Sequence, residues 1–164
     1  MGNRFTCASV PGTVDVKLSN QATSTLMCAL ALAGRGRATT PWERKLMYWL
    51  VQHDQERIGV GTVGFDVAEL GWTADDFDHQ RAFVLGWLDA ALAGAGRDEL
   101  PHAPSGTWLD DCLRQLRALV AAFPREAVAL PSPDAWVPDE EPPHGRCELH
   151  GVDLHESGCI VCNG

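Results

Sequence analysis

Apolar residues recur with a helical period in four stretches of this 164-residue chain. From about 21 to 33, Leu26, Met27, Leu30 and Leu32 follow a Ser19 or Asn20 that can cap a helix, and Gly34 ends it. The second stretch opens on Thr40-Pro41-Trp42-Glu43. A hydroxyl sits at the cap, proline at the first helical position and glutamate three residues after the cap, which is a capping box. Trp42, Leu46, Trp49 and Leu50 then share a face, with His53 at the end. The third stretch runs from Thr73 to about Leu92. Asp75 and Asp76 sit in its first turn, Phe77, Val84, Leu88 and Ala91 form a stripe, and Gly94 and Gly96 stop it. The fourth runs from a Thr107 cap to Pro124 and is the most regular, with Leu109, Cys112, Leu113, Leu116, Leu119, Val120 and Phe123 in register. Burying each large side chain of such a face is worth about 1.5–3 kcal/mol, so this helix is expected at the centre of the core.

Two stretches carry other periods. Thr13 to Leu18 alternates, which predicts a short strand in need of a partner, after an irregular segment at 1–13. Residues 57–72 hold Gly59, Gly61, Gly64 and Gly71 among apolar positions and predict a loop with one helical turn at 66–70. The Gly-Val-Gly-Thr-Val-Gly run within it lacks the Gly-Lys-Ser/Thr of a phosphate loop. The expected fold is therefore mainly α, a small bundle of about four helices. Residues 1–126 form the helical domain. Residues 127–143, with Pro131, Pro133, Pro138, Pro142 and Pro143, form a stiff linker. Trp136 and Val137 are too apolar for a free linker and are expected to dock on the body or on a partner.

The last stretch, 144–164, has a different character. Cys147, His150, Cys159 and Cys162 are spaced C-x2-H-x8-C-x2-C. Three thiolates and an imidazole at that spacing can reach the corners of one tetrahedral Zn²⁺. Gly151 follows the first pair and Asn163-Gly164 the second, residues that accept the left-handed backbone such turns need. Val152 and Leu154 alternate and 155–158 reads as a turn, so a short hairpin is expected between the two knuckles. His155 is an alternative fourth ligand with a looser spacing to Cys159. Disulfides among the cysteines are the other alternative, had the chain been exported. The stretch Cys147–Gly164 resembles the zinc-ribbon and zinc-knuckle modules, whose halves read C-x-x-C/H-G. That resemblance implies a structural metal and nothing about the helical body. Leu149, Leu154, Ile160 and Val161 are more than so small a module can bury, so they should pack on the helices or mark a contact surface.

Charge narrows the function classes. The net charge is −9. Residues 1–126 carry 12 basic and 15 acidic side chains, 127–143 carry four acidic and no basic ones, and 144–164 carry three acidic and one basic. Three thiolates, a neutral imidazole and Zn²⁺ add a further −1. Nucleic-acid binding needs Lys and Arg to neutralise phosphates, so the expectation is no nucleic acid, and a protein partner, basic if charged. No apolar run is long enough to span a membrane. The N-terminus shows no basic segment followed by an apolar one, which gives a cytoplasmic expectation. Cys28 and Cys112 read as small buried residues, and Cys7 as uninformative. Asp75 and His79 lie four apart on one helical face, an arrangement that could bind a metal or move a proton, though a solvated helix start explains them as well. The function expected is a zinc-containing, non-enzymatic protein-binding module: an adaptor, regulator or inhibitor. The alternative is a small-molecule enzyme or accessory subunit with a pocket between helices near His53, His79 or His102.

Overall fold

A computed structural model describes residues 3–58, 63–129 and 142–164 of the chain. Trp136, Val137, Gly59 and Gly61, and most of the proline-rich stretch, lie outside the described residues. The fold is mainly α, with a small two-stranded sheet. Strand β1, Asn3–Phe5, pairs antiparallel with β2, Val16–Leu18, placing Phe5 opposite Val16 with both side chains buried. The alternating strand thus finds its partner in a segment expected to be irregular. Three residues hold too little pattern to announce a strand.

The first long helix, α1 (Asn20–Gly34), starts at Ser19, whose hydroxyl accepts from the Ala22 amide. Every residue from Leu26 to Gly34 is buried. A helix apolar around its whole circumference belongs in an interior, and α1 packs against every other long helix. The core therefore centres on α1 and not on the 108–122 helix. The small side chains of Ala29, Ala31, Ala33 and Gly34 let neighbours approach from all sides, a property that a one-sided stripe count does not detect.

Helix α2, Pro41–Val51, has the predicted capping box. Thr40 Oγ accepts from the Glu43 amide at 3.2 Å, and Glu43 Oε2 accepts from the Thr40 amide at 3.0 Å and the Thr39 amide at 2.6 Å. Its buried face is Glu43, Leu46, Met47, Leu50 and Val51 together with Lys45, while Trp42 and Trp49 are half-buried beside it. A four-residue helix, α3 (Gln55–Ile58), follows.

The chain then returns to the sheet. The Thr6 amide donates to Phe65 O and the Val67 amide to Thr6 O. A Cβ on Gly64 would lie 2.1 Å from the Arg4 carbonyl oxygen, so this glycine is needed for close backbone approach, not for holding phosphate. The predicted helical turn is present at Val67–Leu70, capped by Asp66 and closed by Gly71 at φ 76°.

Helix α4 spans Phe77–Leu92, starting four residues later than expected. The cause is Gln80, whose side-chain oxygen accepts from the Thr73 amide at 2.8 Å while its nitrogen donates to Thr73 Oγ at 2.7 Å. That bridge holds residues 73–76 in a turn. Helix α5, Trp108–Ala122, buries the predicted stripe in full, and Phe123 closes it.

Candidate metal centre

The C-terminal residues build the centre from two local devices. In the first, the Cys147 amide donates to Val152 O and the Gly151 amide to Cys147 O, each at 2.8 Å. The Leu154 amide also reaches Gly145 O at 2.9 Å. These bonds close a tight hairpin around Cys147–His150, and Gly151 at φ 67° makes the turn that an L side chain would strain. In the second, Ile160–Asn163 is a single helical turn, α6, with Cys159 at its N-cap position. Three residues apart on a helix, Cys159 and Cys162 face the same way. The second half is therefore a helical turn and not another left-handed knuckle. Asn163 is helical, and no described non-glycine residue has a positive φ.

The two devices bring four donor atoms together. Cys147 Sγ, His150 Nδ1, Cys159 Sγ and Cys162 Sγ all lie within 4.8 Å of one another. His150 Nδ1 is 3.7 Å from Cys147 Sγ, 3.6 Å from Cys159 Sγ and 3.5 Å from Cys162 Sγ, and the Cys147 and Cys162 sulfurs are 3.9 Å apart. Around a tetrahedral ion with bonds of about 2.3 Å to sulfur and about 2.0 Å to nitrogen, the S···S edges are about 3.8 Å and the S···N edges about 3.5 Å. The spacing matches those edges and could hold a metal ion. It is far longer than a disulfide bond of about 2.05 Å, and all six cysteines are free thiols.

Without an ion the thiols are unequal. Burial works to raise the Cys147 thiol, but the His150 and Leu149 amides and the His150 ring outweigh it and bring it down to about 7. Burial pushes the Cys159 thiol up to about 12, against the Cys162 and Val161 amides. An ion entering this cluster has to displace the Cys159 proton, so loading releases protons and weakens in acid.

Polar anchors fix the centre to the helical body. His155 is not in the cluster. Its ring is buried, with Nε2 2.8 Å from Asp54 Oδ2, while Nδ1 accepts from the Ser157 amide at 3.1 Å. An Nδ1 that accepts carries no proton, so Nε2–H donates to the Asp54 carboxylate. Asn163 Nδ2 donates to the same carboxylate oxygen at 3.1 Å. On the other side, Arg35 Nη1 donates to His150 O at 2.8 Å while its guanidinium forks onto Glu99. Burial unites the two parts as well. Val152, Ile160 and Val161 join the common core, and the Cys28 thiol donates to Ile160 O at 3.3 Å. Burial, reinforced by Asp54 and Cys159, pushes that thiol up to about 12 and leaves it inert. Leu154 is half-buried against the core, whereas Leu149, at the tip of the hairpin, is 80% exposed.

The remaining candidates are scattered. His53 Nδ1 lies 2.8 Å from Trp49 O, and its ring packs on Trp49 and Phe65. His79 Nε2 lies 3.0 Å from Glu43 Oε1. His102 is exposed and lines a surface hollow beside Ser105 and Trp108. Cys7 and Cys112 are buried, and burial raises both thiols. Asp54, Asn163, Arg35 and Glu99 carry no motif in the sequence. Asp54 and His155 are 101 residues apart, and only the folded chain pairs them.

Among the described residues no helix is long and apolar enough to cross a membrane. No family model, curated protein or solved structure matches the chain.

Proposed function

We propose that Cys147, His150, Cys159 and Cys162 hold a structural Zn²⁺, and that the chain is a non-enzymatic protein-binding module stapled by that ion. The observation that carries the metal reading is the set of four donor atoms at tetrahedral edge spacing. Three soft sulfurs and an imidazole suit zinc over the harder divalent ions. Four protein ligands fill a tetrahedron, which leaves no position for water or substrate and makes the ion structural. When bound, it supplies a cross-link between hairpin and α6, and with them the seat of the module on α1. Ile160 and Val161 are buried in that seat.

The binding role rests on the surface the staple presents. Leu149 stands 80% exposed beside Glu148 on the hairpin that carries two ligands. An exposed leucine on a metal-braced turn is a fixed apolar knob, and it suits a protein partner with an apolar pocket. Metal analysis of protein purified without chelator tests the first part, with about one zinc per chain expected. Co-purification from native lysate with and without Leu149→Glu tests the second. A partner retained by the parent chain and lost by the variant is the expected result, and equal retention overturns the assignment of the knob.

A further inference from the structure

A hollow of about 40 Å³ lies behind the hairpin, lined by the end of α1, one face of α2 and the segment after Gly151. A water needs roughly 10–15 Å³, so this space takes a few waters or one small ion and excludes a nucleotide. Three arginines line it from three separate elements: Arg35 after α1, Arg44 on α2 and Arg146 on the hairpin. The rest of the wall is small or apolar, including Ala31, Met47, Val51 and Val152.

Charge decides what fits. Arg35 is held by Glu99 and the His150 carbonyl, so it is positioned and largely neutralised. Arg146 reaches Asp153, the one carboxylate among the described lining residues, at 3.3 Å, which is long for a charge-assisted bond. Arg44 donates to Thr39 O at 2.9 Å, and among the described residues no carboxylate is paired with it. The carbonyl end of α1 opposes an anion with about half a charge, but the Gly34 and Leu30 carbonyls already accept from the Arg37 amide and Trp87 Nε1. Among the described residues of the wall the uncompensated cation is thus Arg44, in a chain whose net charge is −9.

We propose that this cleft binds a small oxyanion, phosphate or the carboxylate group of a small acid, with Arg44 as its main partner and Arg35 and Arg146 flanking. The planar fork of arginine matches both oxyanions. The site goes beyond the metal reading, although its outer wall is the hairpin that the zinc braces.

The test is an amide NMR titration of the full, metal-loaded chain at fixed ionic strength, with phosphate, sulfate and acetate as probes and chloride as control. Saturable shifts at Gly36, Arg44 and Gly151 with phosphate are expected. Saturation with acetate as well identifies the shared oxyanion as the ligand, and saturation with phosphate and sulfate alone narrows it to a tetrahedral anion; both support the site. Arg44→Gln should weaken phosphate binding by about tenfold, Arg44→Lys should fall between, and Arg114→Gln on the far surface should change nothing. Near-UV circular dichroism of each variant establishes that it is folded. Shifts that stay linear in concentration, match those of chloride, or saturate at the parent concentration in a folded Arg44→Gln overturn the proposal. Metal content is read on every sample. Failure to bind anion at full zinc occupancy removes the cleft alone, whereas a folded chain that binds phosphate but takes up no zinc when the metal is supplied removes the metal reading alone.

Discussion

The helical body and the C-terminal hairpin are anchored by different physics. Between Asn20 and Ala122, side chains such as Leu26, Leu30, Leu46, Leu50, Leu88, Leu109 and Leu113 are almost wholly shielded from water, so non-directional apolar burial holds the helices together. The hairpin and α6 contribute only Val152, Ile160 and Val161 as large, fully buried apolar side chains. Too few residues are present there to make a core of their own. Directional contacts take over: the four-donor cluster, the Asp54–His155–Asn163 node and the Arg35–His150 carbonyl bond. Directional anchors fail one at a time, and apolar packing fails by degrees. The two regions should therefore respond to different perturbations.

The largest effect is expected at the proposed zinc site. Zinc binding by small unstructured modules is worth about 10–16 kcal/mol in apparent free energy, and ligands and fold assemble together. Cys159→Ser, or chelation of the parent chain, should abolish zinc binding and remove most amide protection over 145–163 in hydrogen exchange. Amides in α4 and α5 should keep theirs. Equal loss in α4 and α5 would merge the two regions into one cooperative unit and break the comparison.

The converse perturbation is Leu113→Ala, at a position with no exposure in α5. Truncating such a leucine costs about 2–5 kcal/mol, the spread reflecting how far the site collapses. Denaturant unfolding should show that loss while zinc content stays at the parent level. Zinc lost from the folded variant would mean that the core, and not the ligands, shapes the centre.

How much of this was legible in the sequence differs between the regions for the same physical reason. Periodic apolar burial leaves a periodic trace, so the α5 stripe, the Thr40–Glu43 box and the turn at 66–70 could be read directly. The cluster could be read because metal ligands need fixed residue types at short spacings. The central place of α1 was missed, since its alanines and Gly34 register as neutral in a stripe count yet permit packing on every side. The late start of α4 was missed because a glutamine side chain overrides the helix signal of Thr73. The anchors were invisible in principle. Nothing local marks Asp54 or Arg35, whose partners His155 and Glu99 are 101 and 64 residues away.

Those anchors supply a smaller test. Asp54→Ala leaves the buried His155 Nε2–H without its acceptor and Asn163 Nδ2 with only the Ser157 carbonyl at 3.3 Å. An orphaned buried donor costs about 1–3 kcal/mol. Stability should fall by that amount with zinc retained, and α6 should exchange faster than α5. If His155→Ala in the Asp54→Ala background adds nothing further, the two act as a pair. A full additive loss would mean that each works alone.

Glu43 gives an effect of about 1 kcal/mol with a distinctive pH signature. Burial raises its carboxyl, but the Thr39 and Thr40 amides, the Thr39 hydroxyl and His79 together hold it below the ordinary glutamate range. A carboxyl depressed in the folded state stabilises above its unfolded value, about 4.3, and that stabilisation is lost as the pH falls through the folded value. Glu43→Gln should be less stable than the parent at pH 7, and the two melting curves should converge in acid. The effect belongs to the helical body, so zinc occupancy of the two should be equal at neutral pH.

The smallest stability effect sharpens the comparison most. Leu149 is 80% exposed, so Leu149→Ala removes almost no buried area and should change stability by less than about 0.5 kcal/mol. The same is expected of zinc content, because the ligands flank the leucine through backbone geometry and not through its side chain. A measurable destabilisation would mean that the knob packs within its own chain and is unavailable to a partner. Neutrality, combined with a lost co-purifying protein in Leu149→Glu, would separate the roles cleanly: the body holds the fold, the metal holds the hairpin, and the hairpin's one exposed leucine is left free to make a contact outside the chain.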